Sequence, residues 1–444
     1  MPPPAVDGVY NPRFHHKTLL YQIIKDNLEE FLEVYPVRFE QEYGELRPEV
    51  ESAFRKFLKC GSPEDGFAVF KCPDCNINLI VPFSCKNWIC PSCSERRVIE
   101  WSMWLAEEVL YDIPHHFITL TMPASIRHYF FRNRWLIPYL ERSIANMLSY
   151  YLKKHSEKEG AIPGIILIPQ TFGERLNANI HFHVLCTSMC IDLETGGYYE
   201  THLPSFYELR QVWKNKVLSL LRNMKIISVK EYTRLRSYYS KGFHIHVSNP
   251  EQKEERDIEE ELPGRMEILQ SIGKYLVRTP LSEARILDYD EEKNRVTIRY
   301  KRYEFDHEGK LQKCREPGTE TMDALELIAR LSLHVPVPGK HKIRYYQAYS
   351  TRFRGEFKKY GYAPNETSEN KSRIECKKSW RTLIHLIYQQ DPLECPECGS
   401  ALVLKDVIAP KDARRELKKL HINHLYYRYG KRIKKENLSL FDTS

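Results

Sequence analysis

The chain lacks any apolar run approaching 18 residues, so no segment reads as a membrane-spanning helix. Its first residues, MPPPAVDGVY, lack the charged and then apolar stretches of a secretory signal, which points to a cytoplasmic setting. There is no glycine-rich nucleotide-phosphate loop, so neither a nucleotide cofactor nor an attached helicase motor is expected. No repeat of solenoid length and no long low-complexity tract occurs, which argues against an array or a disordered scaffold. A strong excess of one charge is also missing. The 67 Lys+Arg against 59 Asp+Glu leave +8, a mild bias that suits a polyanionic partner better than a cationic one. What remains is ordinary globular composition over 444 residues, enough for two or three domains.

Cysteine is not scarce. Twelve of them in a chain of cytosolic character point to metal sites before disulfides. Random placement would give about 0.3 Cys-x-x-Cys pairs, and the chain has three. Cys72-x-x-Cys75 and Cys90-x-x-Cys93 stand 14 residues apart. Two thiolate pairs on short turns make a tetrahedral sulfur cage, so Cys72, Cys75, Cys90 and Cys93 are expected to hold one structural Zn²⁺. Cys85 could replace a member of that cage or stay free, and Cys60 is further off. Cys395-x-x-Cys398 is half a cage. His421 and His424, at i and i+3 on a downstream helix KDARRELKKLHINHLYYR, could complete a second zinc site. The alternative is that these thiols pair with Cys376 or bind nothing.

The stretch PGIILIPQTFGERLNANIHFHVLCT, residues 163–187, reads as two strands joined by a polar loop. Side chains alternate faces along a strand, so His181 and His183 point the same way, about 6.6 Å apart. If the loop returns the chain antiparallel, Gln170 sits near His181. Two imidazoles and an amide oxygen then converge on one small volume, a plausible divalent-metal site with positions left open. A second His-x-His, His244 and His246, is taken as strand residues near that site.

Around this hairpin, helices are expected over 16–34, 48–59, 130–154, 205–223 and 322–334, and strands over 117–122 and 242–248. Pro138 should start or kink its helix. A helix over MEILQSIGKYLVR follows an acidic loop, a small charged β-hairpin covers 284–320, and 365–375 is a polar linker. The basic, aromatic run VPVPGKHKIRYYQAYSTRFRG suits phosphate contacts and base stacking, with Lys342, Arg344 and Tyr345 as candidates. The order β-α-β-β-α-β plus a helix is the ferredoxin-like, split β-α-β plan of an α+β protein.

Seven landmarks in order, CGSPEDGFAVFKCPDC, VPFSCKNWICPSCSERR, FITLTMP, QTFGERLNANIHFHVL, GKYLVRTPLSEARI, RLSLHVPVPGKHKIRYY and DPLECPECG, carry a resemblance over residues 12–428. The chain resembles the HUH-class rolling-circle transposases of the insertion-sequence ninety-one type, which have an N-terminal zinc-binding domain. The resemblance implies a metal-dependent nuclease and strand transferase acting on single-stranded DNA at transposon ends through a 5′-phosphotyrosine. His181 and His183 would be the histidine pair, Gln170 a third ligand of Mg²⁺ or Mn²⁺, and Tyr275 the nucleophile. Lys274 and Arg278 flank Tyr275, and Arg278, one turn on, could meet phosphate. Two-tyrosine members carry a second tyrosine four residues earlier; Ser271 stands there, which favours a single-tyrosine mechanism. The expected segments are 1–62 helical, 63–105 zinc-binding, 110–285 the HUH core, 286–365 a basic DNA-contact extension, and 375–444 a C-terminal helix with the last cysteine pair. The resemblance places the protein in the bacterial cytoplasm, on the nucleoid when acting. A rolling-circle replication initiator of the same nuclease class and a non-catalytic zinc-containing DNA-binding protein are the alternatives.

Overall fold

The computed structural model describes residues 15–111, 113–248, 273, 279–305, 311–314, 316–360, 393–395, 398–419, 425–427 and 431–432. They gather into two compact units, one of residues 1–100, 279–335 and 373–444, the other of 101–278 and 336–372. The N-terminal helices, most of the cysteine-rich stretch and the C-terminal region fall in one unit, and the expected 286–365 segment is divided between the two. Among the described residues no helix is long and apolar enough to cross a membrane.

The first unit opens with α1 (Leu19–Arg38), α2 (Glu40–Tyr43) and α3 (Pro48–Leu58). Thr18 caps α1 by accepting from the Tyr21 N–H at 3.3 Å. Leu20, Ile23, Ile24, Leu28, Phe31 and Tyr35 form its buried stripe. The helix runs four residues past its expected end and through Pro36. Packing outweighs the lost backbone bond there: Tyr35 donates to the Gly44 carbonyl at 2.9 Å and its ring meets Phe31 and Phe39. Pro48, at the start of α3, has no N–H to leave unpaired.

Next come β1 (Phe67–Lys71) and β2 (Asn78–Pro82), an antiparallel hairpin. The end of the chain completes its sheet: Val403–Ile408 pairs antiparallel with β1, and Leu425–Tyr427 pairs parallel with β2. Gly66 opens β1 at φ +100°, where a Cβ would meet the Ile408 carbonyl oxygen at 2.9 Å, so only glycine fits this closure. The helix Pro410–Lys419 lays Ala413 and Leu417 on Phe67, Val69 and Ile80. It ends before Leu425–Tyr427, which is strand rather than the continuous helix expected. The expected hairpin over 284–320 is a three-stranded sheet, ordered Gly318–Asp323, Arg295–Tyr300, Ile286–Asp290, plus a two-stranded ribbon of Tyr303–Phe305 and Leu311–Lys313. The chain leaves this unit through α4 (Pro91–Trp104).

The second unit is built on β3 (His115–Thr121), α5 (Ala124–Arg132), α6 (Ile137–Lys154), β4 (Gly164–Phe172) and β5 (Ala178–Thr187). The small hairpin of β6 (Met189–Ile191) and β7 (Tyr198–Glu200), helices α7 (Phe206–Asn223) and α8 (Val229–Tyr238), and β8 (Ile245–Ser248) complete it. Pro138 stands in the first turn of α6, where its missing N–H costs no intrahelical bond. Ser205 and Ser228 cap α7 and α8 through the Glu208 and Glu231 N–H groups. The main sheet has the order Arg344–Gln347, β4, β5, β3, β8, and every neighbouring pair is antiparallel.

Period-two alternation assigns the two faces of this sheet. Ile118, Leu120, Ile165, Leu167, Ile180, Phe182, Val184 and Ile245 share a core with Ile126, Phe130, Ile144, Leu148, Trp213 and Val217 from the helices. Trp213 is fully buried against Phe182 and spends its N–H on the Thr121 carbonyl at 2.8 Å. The residues between these apolar positions, Thr119, Thr121, Gln170, His181 and His183, therefore fall on the opposite face.

Candidate active site and metal centres

Gln170 lies directly opposite His181 in the β4–β5 ladder, and Ile168 opposite His183. The register shifts between Gln170 and Phe172, a bulge that bends the hairpin next to the site. Gln170 Oε1 lies 3.1 Å from His181 Nε2 and 2.7 Å from His183 Nε2. The two imidazoles stand nearly perpendicular, at 83°, with centroids 4.7 Å apart. His183 is fully buried and stacked on Phe117, and its Nδ1 meets Thr119 Oγ1 at 3.3 Å.

The hydrogen bonding indicates what could sit between these groups. His181 Nδ1 is 2.9 Å from the Asn179 carbonyl oxygen, an acceptor, so Nδ1 carries the proton. In the neutral ring Nε2 then keeps its lone pair toward Gln170 Oε1, itself an acceptor. The Gln170 amide nitrogen finds no partner among the described residues although the side chain is buried. Leaving such a group unpaired costs about 1–3 kcal/mol. Turning the carboxamide oxygen toward two imidazoles is favourable when a cation lies among them. Two nitrogens and an amide oxygen suit a divalent ion of the Mg²⁺ or Mn²⁺ kind, with positions left for substrate oxygens.

The second histidine pair shares this face at a distance. His246 lies opposite Thr119 on the far side from His183, two strands away, or about 10 Å. His244 and His246 are both exposed. Tyr275, Lys274 and Arg278 lie outside the described residues, as does Ser271. Lys342 is half-buried just before the strand Arg344–Gln347.

Arg344 and Tyr345, the candidate DNA contacts, both have partners inside their own unit. Arg344 pairs with Glu141 at 2.5 Å, and Glu141 is only 3% exposed. Burial pushes the Glu141 carboxyl up, and Arg344 pulls it back. The Tyr345 hydroxyl accepts from Trp101 Nε1 at 2.8 Å, and its ring meets Trp104 edge-on at 5.4 Å. The basic, aromatic composition of the segment reflects this strand packing. Arg344→Ala strands the Glu141 carboxylate. It is expected to cost roughly 2 kcal/mol in urea unfolding, below the fully buried range because Arg344 is partly in water. The salt dependence of DNA binding should not change.

Eight of the described cysteines form two groups, each with its sulfurs within 4.8 Å of one another: Cys60, Cys85, Cys90 and Cys93, and separately Cys72, Cys75, Cys395 and Cys398. The single cage expected from Cys72, Cys75, Cys90 and Cys93 is not formed. The reason lies in the β1–β2 hairpin. Cys72 and Cys75 make its turn, whereas Cys60 and Cys85 flank its open end, and five-residue strands hold the two ends about 17 Å apart. Cys90 and Cys93 follow Cys85 directly and join the open end.

In the first group the Sγ–Sγ distances are 3.7 Å for Cys60–Cys93, 3.6 Å for Cys85–Cys93 and 3.8 Å for Cys60–Cys90. Four thiolates about 2.3 Å from a tetrahedral zinc stand about 3.8 Å apart, so the cage has the right size. Backbone N–H groups of Cys85 and Asn87 point at the sulfurs of Cys60 and Cys85, both at 3.4 Å. Arg97 donates to the Lys86 and Asn87 carbonyls and lies over the Trp88 ring at 4.0 Å, bringing positive charge to a sulfur-rich site. Sequence spacing passed over Cys60 because it precedes the knuckles by a whole strand.

Known proteins match both halves of this arrangement. A family model described as "Transposase zinc-binding domain" matches residues 27–122, and one described as "Putative transposase" matches 164–356. The chain belongs to the insertion-sequence ninety-one type of transposases. The transposase is 24% identical over 387 residues to the "Transposase for insertion sequence element IS801" of Pseudomonas savastanoi pv. phaseolicola, covering 83% of this chain and 86% of that one. It is 23% identical over 329 residues to "Putative transposase y4qJ" of Sinorhizobium fredii, covering 71% and 79%. No solved structure matches it. Membership makes the transposase a DNA-processing enzyme with a structural zinc domain, and the first cysteine group lies within the residues matched by the zinc-binding model. His181, His183 and Gln170 lie within the residues matched by the other.

Proposed function

We propose that the transposase nicks and rejoins single-stranded DNA at insertion-sequence ends, driving rolling-circle transposition through a 5′-phosphotyrosine on Tyr275. One observation carries this reading: two imidazole Nε2 atoms and one buried carboxamide oxygen converge within 3.1 Å on the sheet face opposite the helices. The strand order β4-β5-β3-β8, with β5 between the two strands of a β-α-β unit, supports a ferredoxin-like HUH core.

His181, His183 and Gln170 would hold Mg²⁺ or Mn²⁺, which when bound supplies Lewis-acid polarisation of the scissile phosphodiester. A phenol, whose reference pKa is about 10, is a poor nucleophile at neutral pH, so Tyr275 would need that help. Its oxygen bonds to phosphorus as the bond to the 3′ oxygen breaks. The phenolic proton is released, and the leaving oxygen takes one up to become a free 3′-hydroxyl. One phosphoester replaces another, so rejoining needs no ATP. Ser271, in place of a second tyrosine, fits one covalent intermediate at a time. The setting is the bacterial cytoplasm, at the nucleoid.

Incubation with labelled single-stranded element-end oligonucleotide and Mn²⁺, followed by denaturing gels, tests this reading. A labelled band at protein mass and a shorter strand ending in 3′-hydroxyl are expected. Cleavage with multiple turnover and no adduct would make the protein a metal-dependent hydrolase. Binding indifferent to metal, without cleavage, would make it a non-catalytic DNA-binding protein. Cutting of a plasmid origin in preference to element ends would favour a replication initiator. Gln170→Ala should lower cleavage by on the order of tenfold to a hundredfold, less than either histidine change, because a neutral amide oxygen is the weakest ligand. Unchanged Mn²⁺ dependence in that variant would remove Gln170 from the site.

A further inference from the structure

We propose that Cys72, Cys75, Cys395 and Cys398 hold a second structural zinc that fastens the C-terminal knuckle to the turn of the N-terminal β1–β2 hairpin. The four sulfurs lie within 4.8 Å of one another, and Cys72 and Cys398 are 3.6 Å apart. That is far longer than a disulfide, at about 2.05 Å, and close to the edge of a zinc–thiolate tetrahedron, about 3.8 Å.

The two half-sites are built alike although more than 300 residues separate them. One reads Cys72-Pro73-Asp74-Cys75-Asn76, the other Cys395-Pro396-Glu397-Cys398-Gly399. In each, the first cysteine N–H bonds the carbonyl five residues on, Ile77 at 3.0 Å and Ser400 at 2.8 Å. In each, the N–H of the fifth residue returns to the first cysteine's carbonyl, at 3.2 Å for Asn76 and 2.9 Å for Gly399. That fifth residue has positive φ in both, +60° at Asn76 and +76° at Gly399, which is where asparagine and glycine are tolerated. The Cys75 N–H also points at Cys72 Sγ, at 3.3 Å. Such knuckles each present two thiolates from one turn, and two of them facing each other close a sulfur-only sphere.

The surroundings are shaped to keep the pair together. Ser400 donates to Asp74 at 2.5 Å, joining the knuckles directly. Cys72, Ile77, Leu79, Cys395 and Leu402 share a small core. The strand after the second knuckle, Val403–Ile408, pairs with β1, which leads into the first. A closed four-sulfur site leaves no position for water, so this zinc is structural and independent of the nicking chemistry. His421 and His424 lie outside the described residues, and the cage is complete without them.

Zinc counting by native mass spectrometry on the full chain tests the proposal. Two zinc ions per chain are expected. Cys395→Ser with Cys398→Ser, Cys72→Ser with Cys75→Ser, and all four changes together should each leave one. Amide exchange across Val403–Ile408 should rise in every variant. One zinc in the unmodified protein overturns the proposal. Retention of both ions by the Cys72, Cys75 variant also does so, since the C-terminal cysteines would then use other ligands. Loss of both ions by that variant would mean a single coupled site. Should a variant fail to fold, cadmium-113 NMR of the unmodified, cadmium-loaded protein decides: two all-thiolate resonances support the second site, and one resonance rejects it.

Discussion

Tyr275→Phe is expected to abolish the covalent DNA adduct while leaving binding of the same strand nearly unchanged. The substitution removes only the attacking oxygen and keeps the ring, so neither packing nor charge changes. Loss of a nucleophile lowers the rate by on the order of 10⁴-fold or more. Denaturing gels read the adduct and filter binding reads affinity. Persistence of the adduct would move the nucleophile to another of the 28 tyrosines. Tyr300, Tyr345 and Tyr346 would be tested next, and two of these start at a disadvantage. Burial pushes the Tyr345 phenol up to about 12, and burial raises Tyr346 as well. A phenol held further from ionisation is a worse nucleophile.

His181→Ala and His183→Ala should each reduce cleavage by on the order of 10³-fold, the loss of several kcal/mol of electrostatic help. Mn²⁺ affinity, measured by calorimetry, should fall in parallel. The two variants differ in stability. His183 is fully buried against Phe117, so its truncation also destabilises the fold, by about 1–3 kcal/mol. His181 is half-buried, and its variant isolates the effect on metal. His244→Ala and His246→Ala serve as controls on the same sheet face. They sit two strands from His183, so cleavage should survive them. Equal loss from both pairs would mean that the second pair shares the ion.

The β4–β5 hairpin was legible because its determinants are local. Alternation puts His181 and His183 on one face, and one turn sets the register that brings Gln170 to His181. The helices on the other face announce themselves by their apolar spacing. Pairings across hundreds of residues left weaker traces. Spacing along the chain does not bring Cys72 and Cys75 together with Cys395 and Cys398, because that grouping depends on β1 pairing with Val403–Ile408. A usable signal existed in the matched Cys-Pro-acid-Cys patterns of the two knuckles. Composition did not show the partners of Arg344 and Tyr345, whose charged and aromatic strand satisfies a buried glutamate and a tryptophan N–H. The helix expected over 16–34 runs on to Arg38, since aromatic packing carries α1 through Pro36.

The sheet that joins β1 to Val403–Ile408 imposes an order on biosynthesis. Roughly 320 residues separate β2 from that strand, so a ribosome adding 5–20 residues per second exposes the hairpin for on the order of half a minute before its edge partner emerges. During that interval the Cys60, Cys85, Cys90 and Cys93 cage can already close, whereas the β1 edge and the thiols of Cys72 and Cys75 wait. A message broken or a reading frame lost near its 3′ end yields a chain with the whole sheet of the second unit but an unfinished first unit. Completion of the first unit's sheet therefore waits for translation of Val403–Ile408 and Leu425–Tyr427.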